Sequence, residues 1–455
     1  MAHADLVILG GGSGGYACAL RASELGKSVI LIDRDKLGGT CLHRGCIPTK
    51  ALLHAAEVAD AAKESEAFGV RATFEGIDMP KVNEYRDGVV GRLYKGLQGL
   101  VKSRNVTFIE GEGRLVAPDT VEVNGERHTG TTVVLATGSY ARTLPGLDIS
   151  GRIMTSDQAL NLDYVPKSVI VLGGGVIGVE FASVWKSFGS DVTIIEALPH
   201  LVPNEDEAVS KVLERAFRKR GIAFTLGKRF AAATQDDAGV HVTLEDGTTL
   251  DAELLLVAVG RGPNTAGMGY EEQGIAMERG WVLVDERLRT NVPNVYAVGD
   301  ITPGLQLAHR GFQHGIFVAE EIAGLNPVVI ADVNIPRVTY CEPEVGSVGL
   351  TEAEAREAYG SNVAVYEYNL AGNGKSQILA TTGFIKLVQV TDGPIVGIHM
   401  VGSRIGEQIG EAQLIVNWEA YPTDVATLIH AHPTQNEAMG EAHLALAGKP
   451  LHAHT

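Results

Sequence analysis

One structural unit occurs twice in this chain, and it restricts the fold more than any other feature. The first copy runs from the apolar segment LVILGGGSGG at 6–15 to Asp33, and the second from SVIVLGGGVIG at 168–178 to Glu196. In both copies the acid lies 23 residues after the first motif glycine. A strand, a glycine turn, a helix and a second strand ending in an acid are typical of a dinucleotide-binding βαβ unit. The repeat predicts an α/β protein with two Rossmann-like domains.

The glycines of each turn have separate tasks. The first permits the tight turn, the second the approach of a pyrophosphate, and the third close packing of helix on strand. The following helix N-terminus offers free N–H groups to phosphates. The predicted nucleotide contacts are Gly10, Gly12, Gly15 and Asp33 in the first unit and Gly173, Gly175, Gly178 and Glu196 in the second.

Glu196 also bears on the kind of nucleotide. A carboxylate at this position accepts hydrogen bonds from a ribose 2′-OH and repels a 2′-phosphate. The segment ALPHLVPNEDEAVS that follows holds no Arg or Lys to bind such a phosphate. NAD is therefore favoured over NADP.

Later strands indicate the order of the domains. Apolar runs ending at Gly138 and Gly260 close the two units, and the run TNVPNVYAVGD at 290–300 needs the first sheet to join. The second unit is thus predicted to be inserted into the first. After Ile335, strand runs separated by turns suggest an antiparallel meander, and a helical spacing of apolar residues follows. The predicted segments are 1–148 and 271–335 for the first nucleotide domain, 149–270 for the second, and 336–455 for an α+β C-terminal domain, with Ile405, Ile409, Ala412 and Val416 on one helix face.

Charge and hydropathy exclude several functions. The net charge is −17 without a basic block, so nucleic acid and anionic membrane are poor partners. No apolar run approaches the ~20 residues of a membrane span, and the first residues leave no room for a leader peptide. The expected compartment is the cytoplasm, and four cysteines are too few for a disulfide scaffold.

Cys41 and Cys46 lie in the segment GGTCLHRGCIPTK, five positions apart. A zinc site needs a second ligand pair that the chain lacks, so no metal is expected. A structural disulfide is improbable in the cytosol, and an inert pair of core cysteines remains an alternative. Beside a nucleotide fingerprint a redox-active dithiol is favoured, and Lys50 supplies a cation that can lower a thiol pKa.

The segment IHAHPTQNEAMG near the C-terminus holds a candidate base. Pro433 keeps His432 out of helical geometry, and Thr434 and Glu437 have the spacing of a capping box. Glu437 therefore has two interpretations: a cap of the last helix, or a carboxylate that orients His432 as a general base near a thiol. His430 is a rival base that spacing does not eliminate.

With these motifs the chain resembles the pyridine nucleotide–disulfide oxidoreductases over essentially its whole length. The resemblance rests on GGGSGG, GGTCLHRGCIPTK, LATGS, GGGVIGVEFASVW, TNVPNVYAVGD, LAHRG and HAHPTQNE, in family order. It implies FAD in the first unit and NAD in the inserted one. The positions that match the family's FAD contacts are Gly10, Gly12, Gly15, Asp33, Lys50, Gly113, Gly138, Asp300 and Ala308.

The resemblance also implies a reaction. Protein-bound dihydrolipoamide would be oxidised through a Cys41–Cys46 redox disulfide, with NAD as the final acceptor. Glu180 matches the family's glutamate that pairs with Lys50 near the flavin. In the implied homodimer, His432 would reach the dithiol of the partner subunit.

The implied partners are the lipoyl domains and acyltransferase core of 2-oxo acid dehydrogenase complexes. The alternative from another class, a non-catalytic FAD-binding subunit, is disfavoured because both cysteines and His432 are intact. Relatives similar to glutathione reductase prefer NADP and are expected to have basic residues in the segment after Glu196, where this chain has none. The chain departs from the family's common pattern at His43, Arg44 and the segment GFQHG at 311–315.

Overall fold

The computed structural model describes residues 2–453. In it, the first glycine turn connects a strand of a seven-stranded sheet to the helix that follows that strand. The strand order is β3-β2-β1-β6-β5-β4, and a strand from later in the chain, Val295–Ala297, also pairs with β6. The strands β1, β2, β3 and β6 are parallel, while β4 and β5 form an antiparallel edge. The elements of this part are β1 (Ala2–Leu9), α1 (Ser13–Glu24), β2 (Val29–Asp33), α2 (Gly39–Arg44), α3 (Cys46–Glu64), α4 (Met79–Ser103), β3 (Thr107–Glu110), β4 (Arg114–Ala117), β5 (Thr120–Val123), β6 (Glu126–Leu135) and β7 (Ser139–Ala141).

The second glycine repeat opens a separate five-stranded sheet of order β11-β10-β9-β15-β8, in which every pair is parallel. Buried apolar strands are expected in a parallel sheet because both of its faces are covered. A three-stranded antiparallel layer, β12-β13-β14, packs on it. The elements are β8 (Ile153–Thr155), α5 (Ser156–Ala159), β9 (Ser168–Leu172), α6 (Val176–Phe188), β10 (Asp191–Ile195), α7 (Glu207–Arg220), β11 (Ala223–Thr225), β12 (Phe230–Gln235), β13 (Val240–Leu244), β14 (Thr249–Ala252), β15 (Leu254–Val257) and β16 (Arg261–Pro263).

The chain then returns to the first sheet, as the run at 290–300 predicts. Strand Val295–Ala297 pairs in parallel with β6. The helix that follows it packs closely on α1, where a Cβ added to Gly315 would lie 2.2 Å from the Gly14 carbonyl oxygen. The returning elements are β17 (Met277–Glu278), β18 (Trp281–Val282), β19 (Val295–Ala297) and α8 (Ala308–Ile322).

The C-terminal part is a five-stranded antiparallel sheet covered by helices. Its order is β20-β21-β24-β23-β22. The predicted meander therefore holds for β22, β23 and β24, but β21 pairs with β24 and not with β22, the next strand in the chain. The four apolar residues predicted to share a face of the helix after β24 are buried. The elements are β20 (Arg337–Thr339), β21 (Glu344–Gly349), α9 (Glu352–Tyr359), β22 (Val363–Asn369), α10 (Gly374–Ile378), β23 (Phe384–Val390), β24 (Ile395–Gly402), α11 (Ile405–Asn417), α12 (Pro422–Val425) and α13 (Glu437–Leu446).

The predicted fold class, two Rossmann-like domains plus an α+β C-terminal domain, is confirmed. The domain boundaries at 148, 270 and 335 stay predictions. Within residues 2–453, no helix is long and apolar enough to cross a membrane.

Candidate active site

The two glycine turns have nearly the same geometry. Gly10 and Gly173 have φ of +112° and +111°. A Cβ on Gly10 would lie 2.1 Å from the Ala136 carbonyl oxygen, just after β6, and a Cβ on Gly173 would lie 2.4 Å from the Ala258 carbonyl oxygen, just after β15. A Cβ on Gly15 or Gly178 would lie 1.7 or 1.9 Å from the carbonyl oxygen of its own turn's first glycine. Both turns therefore require glycine for backbone conformation and for helix–strand contact.

The acids at the ends of β2 and β10 are also equivalent. Asp33 accepts hydrogen bonds from the backbone N–H of Gly11 and of Asp35, and burial raises the pKa of its carboxyl while these bonds lower it. Glu196 is 8% exposed and accepts from the N–H groups of Gly174 and Leu198, each at 2.7 Å. Each carboxylate thus lies directly beside its glycine turn.

A single cavity of about 1660 Å³ joins the two turns. It exceeds the ~300–1,000 Å³ typical of a small-molecule pocket, as a site for portions of two dinucleotides requires. A Cβ on Gly175 would meet no atom within 4 Å, so this turn leaves room for a pyrophosphate. The predicted residues that line the cavity are Gly12, Cys41, Cys46, Lys50, Gly138, Gly173, Gly175, Glu180, Glu196, Gly260, Asp300 and Ala308.

The other predicted residues lie around this cavity or away from it. Gly10, Asp33 and Gly113 border a smaller cavity of about 50 Å³. Gly15 and Gly178 are packed beneath their turns, and His432 and Glu437 border neither cavity. The glycine geometry, the two acids and the cavity fit FAD in the first domain and NAD in the second.

The dithiol lies where two helices meet. Cys41 is in the short helix α2, and Cys46 is the first residue of α3, after Gly45. Both are free thiols in the structure. A hydrogen bond with the Cys41 side chain lowers the pKa of Cys46, despite the opposing effect of burial, and raises the pKa of Cys41.

Two further features favour a thiolate at Cys46. The cation of Lys50 and the backbone N–H of Cys46 itself, at the N-terminus of α3, both lower its pKa, while the Glu180 carboxylate raises it by less than Lys50 lowers it. Lys50 follows four positions later on the same helix, so both side chains lie on one helix face. The Cys41 side chain, the N-terminus of α3 and the Lys50 cation therefore all lower the pKa of the same thiol, that of Cys46.

Lys50 is paired with a buried carboxylate. Its Nζ donates to Glu180 Oε1 at 2.8 Å and Oε2 at 2.7 Å, and Glu180 is 2% exposed. Glu180 also accepts from the Tyr340 backbone N–H at 3.0 Å, and Lys50 Nζ lies 5.0 Å from the centre of the Tyr340 ring. Burial lowers the pKa of Lys50, but Glu180 outweighs this effect and the pKa is raised, so the lysine remains charged.

His432 and Glu437 form a second group, on the surface of the C-terminal part. His432 Nδ1 lies 2.6 Å from Glu437 Oε1, and 77% of the His432 side chain is exposed. Glu437 Oε2 accepts from the Thr434 backbone N–H at 2.7 Å. The Thr434 hydroxyl donates to the Ala431 carbonyl, so a complete capping box does not form. Glu437 therefore makes both predicted contacts, one with the turn and one with the histidine.

The rival base has a different environment. His430 Nε2 lies 2.7 Å from Glu411 Oε1, and only 13% of its side chain is exposed. His430 is thus bound within its own subunit, while the outer edge of His432 is open. This geometry favours His432 as the base.

Some residues at the cavity have no local sequence signal. Arg261, directly after Gly260, donates to Ser139, whose hydroxyl donates to Asp300 at 2.6 Å. Lys228 and Arg229 line the cavity near Glu196, although the segment after Glu196 lacks basic residues. Lys228 and Arg229 belong to the loop before β12, and Lys228 forms an ion pair with Asp246 at 2.8 Å.

The departures noted in the sequence also lie near the cavity. The His314 ring accepts from the Gly299 backbone N–H at 3.3 Å. Burial and the nearby Arg310 cation lower the pKa of His314 to about 3, so it is neutral near pH 7. His43 Nε2 lies 2.8 Å from the Leu37 carbonyl oxygen, and Arg44 pairs with Asp35 at 3.3 Å.

The fold and the dithiol beside two nucleotide turns define a flavoprotein disulfide oxidoreductase. Residues 4–315 match the family described as pyridine nucleotide-disulphide oxidoreductase, and 335–443 match the dimerisation domain of the same family. The chain belongs to this family. It uses FAD and NAD, and its dimerisation domain supports a homodimer.

Full-length relatives agree with this assignment. The chain is 40% identical to a dihydrolipoyl dehydrogenase of Bacillus subtilis, over 98% of this chain and 99% of the relative. It is 39% identical to one from Geobacillus stearothermophilus, over 98% and 97%. A leghemoglobin reductase of Vigna unguiculata is 38% identical, over 99% of this chain and 88% of the relative.

Solved structures with a similar fold include LpdA of Mycobacterium tuberculosis, with a TM-score of 0.90, 27% identity, and coverage of 98% of this chain and 100% of that one. A copper complex of RclA from Escherichia coli, a HOCl-induced flavoprotein disulfide reductase, has a TM-score of 0.88 at 27% identity, over 98% and 100%.

Proposed function

We propose that this enzyme oxidises protein-bound dihydrolipoamide to lipoamide and passes the electrons to NAD. The observation that carries the proposal is the dithiol beside Lys50 and Glu180 in a cavity shared by both nucleotide turns. The full-length similarity to dihydrolipoyl dehydrogenases supports the choice of substrate.

The first proposed step is deprotonation. His432 of the partner subunit takes a proton from one substrate thiol, because the thiolate is the nucleophile. Glu437 holds the ring through Nδ1, which leaves Nε2 for the proton, and stabilises the imidazolium that forms.

The second step is thiol–disulfide exchange with the oxidised cysteine pair. The substrate thiolate attacks the Cys41 sulfur, a mixed disulfide forms, and the Cys41–Cys46 bond breaks with Cys46 as the leaving thiolate. Cys46 is the better leaving group because its pKa is lowered while that of Cys41 is raised. His432 releases its first proton to solvent and takes the proton of the second substrate thiol. The resulting thiolate attacks the substrate sulfur of the mixed disulfide, which releases lipoamide, and Cys41 leaves as a thiol with the proton from His432. The substrate loses two electrons and the cysteine pair gains them.

Gly12, Asp33, Asp300 and Ala308 would hold FAD, and Gly175 and Glu196 would hold NAD. When bound, FAD would supply the two-electron chemistry that links the cysteine pair to NAD. Lys50 and Glu180 keep a fixed charge pair next to Cys46 throughout.

The same proposal extends to partners and location. We infer that the enzyme is a component of a 2-oxo acid dehydrogenase complex, where it interacts with the lipoyl domains and the acyltransferase core. We also infer that it works in the cytoplasm. A reducing compartment suits a chain whose four cysteines include one reactive pair.

An anaerobic titration of the purified FAD-loaded enzyme tests the substrate. We expect dihydrolipoamide to change the flavin absorbance, and NAD added afterwards to restore it as NADH forms. An unchanged flavin spectrum with dihydrolipoamide, but a response to NADH, would contradict the proposed substrate and leave the family assignment intact.

A further inference from the structure

A second histidine–glutamate pair lies next to the exposed one. Glu411, on α11, has one carboxylate oxygen 2.7 Å from His430 Nε2 and accepts from Asn436 Nδ2 on the other at 2.6 Å. His430 and Asn436 are the two ends of the seven-residue stretch that contains His432. One carboxylate therefore closes this stretch into a loop, here called the base loop (430–436).

The partly buried pair of His430 and Glu411 is not available for proton transfer. A Cβ added to Gly440 would lie 2.6 Å from His430 Nδ1 and 2.9 Å from its Cε1, so the ring packs against the backbone of α13. Its Nε2 is bound to Glu411. One ring nitrogen is thus covered and the other is occupied, and His430 serves as a link between α11 and α13.

The charges of this pair support a fixed contact. Burial raises the pKa of Glu411, but hydrogen bonds from His430 and Asn436 outweigh it and the pKa is lowered. The same bond raises the pKa of His430. A partly buried charged hydrogen bond is shorter and stronger than one between neutral groups.

The opposite side of the base loop is also held by buried side chains. Asn373 Nδ2 donates to the Thr434 carbonyl oxygen at 3.0 Å, and the Ser376 hydroxyl donates to Gln435 Oε1 at 2.8 Å. Gln435 Nε2 donates to the Ser403 carbonyl oxygen at 3.1 Å. Asn373 is 3% exposed and Ser376 is fully buried. The loop is therefore bound on two sides while His432 projects outward.

We propose that Glu411 is a positioning residue for the thiol half-reaction, which rests on the proposed role of His432 as its base. Glu411 holds both ends of the base loop, so that His432 and Glu437 project from the surface at a set angle toward the partner's dithiol. A displacement of about 1 Å at a reacting group can cost ~100-fold in rate, so the loop must be held firmly.

The test uses the FAD-loaded homodimer and the variants Glu411→Ala, Glu411→Gln and His430→Gln. Flavin reduction by dihydrolipoamide, after rapid mixing, reports the thiol half-reaction. NADH-driven reduction of an artificial electron acceptor reports the nucleotide half. His241→Gln is the matched control, because it removes a histidine–carboxylate pair of 2.7 Å from a distant hairpin.

We expect Glu411→Ala to slow reduction by dihydrolipoamide by at least about tenfold, with NADH-driven activity within about twofold of wild type. Glu411→Gln should recover much of the rate, because glutamine can still accept from Asn436 and donate to His430. His430→Gln should show the same selective loss as Glu411→Ala, to a smaller degree.

Two results would refute the positioning role of Glu411 and leave the proposed function intact. One is a normal thiol half-reaction in Glu411→Ala, and the other is an equal loss in both half-reactions that Glu411→Gln does not restore. A wild-type enzyme that fails to react with dihydrolipoamide would instead remove the proposed function, and with it this role of Glu411.

Discussion

The proposed reaction centre has a buried half and an exposed half, and they differ in how the protein controls them. Cys46, Lys50 and Glu180 surround one cavity, and Glu180 is 2% exposed. His432 lies on the surface of another part of the chain, with 77% of its side chain exposed. The buried half has its charges set by its own subunit. The exposed half gains a desolvated environment only when a partner covers it.

The difference has an energetic meaning. Removing Lys50 alone is costly, because the buried Glu180 carboxylate would keep its charge with no cation and little water around it. An exposed histidine–carboxylate pair contributes ~1 kcal/mol or less to stability. The short contact between His432 and Glu437 is therefore better explained by a task at a dimer surface than by the stability of one chain.

The largest effect is expected in the buried half, for Cys46→Ser. Without the leaving thiolate no exchange step completes, and oxidation of dihydrolipoamide should fall by on the order of 10³-fold or more. NADH-driven reduction of an artificial acceptor should persist. Cys341→Ala, at a buried cysteine outside the dithiol, is the control. Turnover that survives in Cys46→Ser would refute the dithiol mechanism.

The next effect concerns the exposed half, through His432→Gln. Loss of a general base should slow the thiol half-reaction ~10²–10⁴-fold. If the base comes from the partner, unfolding and refolding this variant together with Cys46→Ser should restore about a quarter of wild-type activity, since half of the dimers gain one intact site. No recovery in verified mixed dimers would place both halves in one subunit.

A smaller effect is expected for Glu437→Gln, which separates the two contacts of this residue. Glutamine can still accept from the Thr434 N–H but no longer stabilises an imidazolium, so the thiol half-reaction should slow ~10- to 100-fold. The change in stability should stay within about 1 kcal/mol. Stopped-flow kinetics and thermal unfolding measure the two quantities. A large fall in melting temperature with normal kinetics would favour the role of Glu437 in the turn.

The smallest effect tests the charge beside Cys46. The double variant Lys50→Gln/Glu180→Gln removes the ion pair without leaving one buried charge. The Lys50 cation lowers the pKa of Cys46 and the Glu180 carboxylate raises it by less, so removing both should move the pH profile of Cys46 alkylation in the reduced enzyme upward, by roughly half a pH unit or less. Lys228→Gln, at the same cavity but paired with Asp246, should leave the profile unchanged. An unmoved profile in the double variant would assign the low pKa of Cys46 to Cys41 and the helix terminus.

Much of the fold followed from local patterns. The glycine turn and the acid that follows it lie within 23 residues in each copy, so the repeat predicted both nucleotide-binding units, and the apolar run at 290–300 predicted the strand that returns to the first sheet. The C-terminal sheet was only partly predicted. Strand runs separated by turns suggested a meander, but β24 lies between β21 and β23 because strand pairing depends on distant contacts.

The candidate site shows the same division. The basic residues Lys228 and Arg229 could not be found by inspecting the segment after Glu196, because they reach the cavity from a loop about 30 residues later. The choice between His430 and His432 also stayed open in the sequence. It depended on which ring Glu411 binds and which stays exposed.

The sequence by itself determined the two nucleotide turns, the cysteine pair with Lys50 one helical turn after Cys46, and the histidine with a carboxylate five positions away. These features depend on short-range geometry, which spacing encodes directly. The family resemblance implied that Glu180 pairs with Lys50, but only the tertiary structure decided that α3 meets α6, that Glu180 is buried, and that His432 faces outward. Burial and charge pairing between distant segments arise from packing, and no local pattern records them.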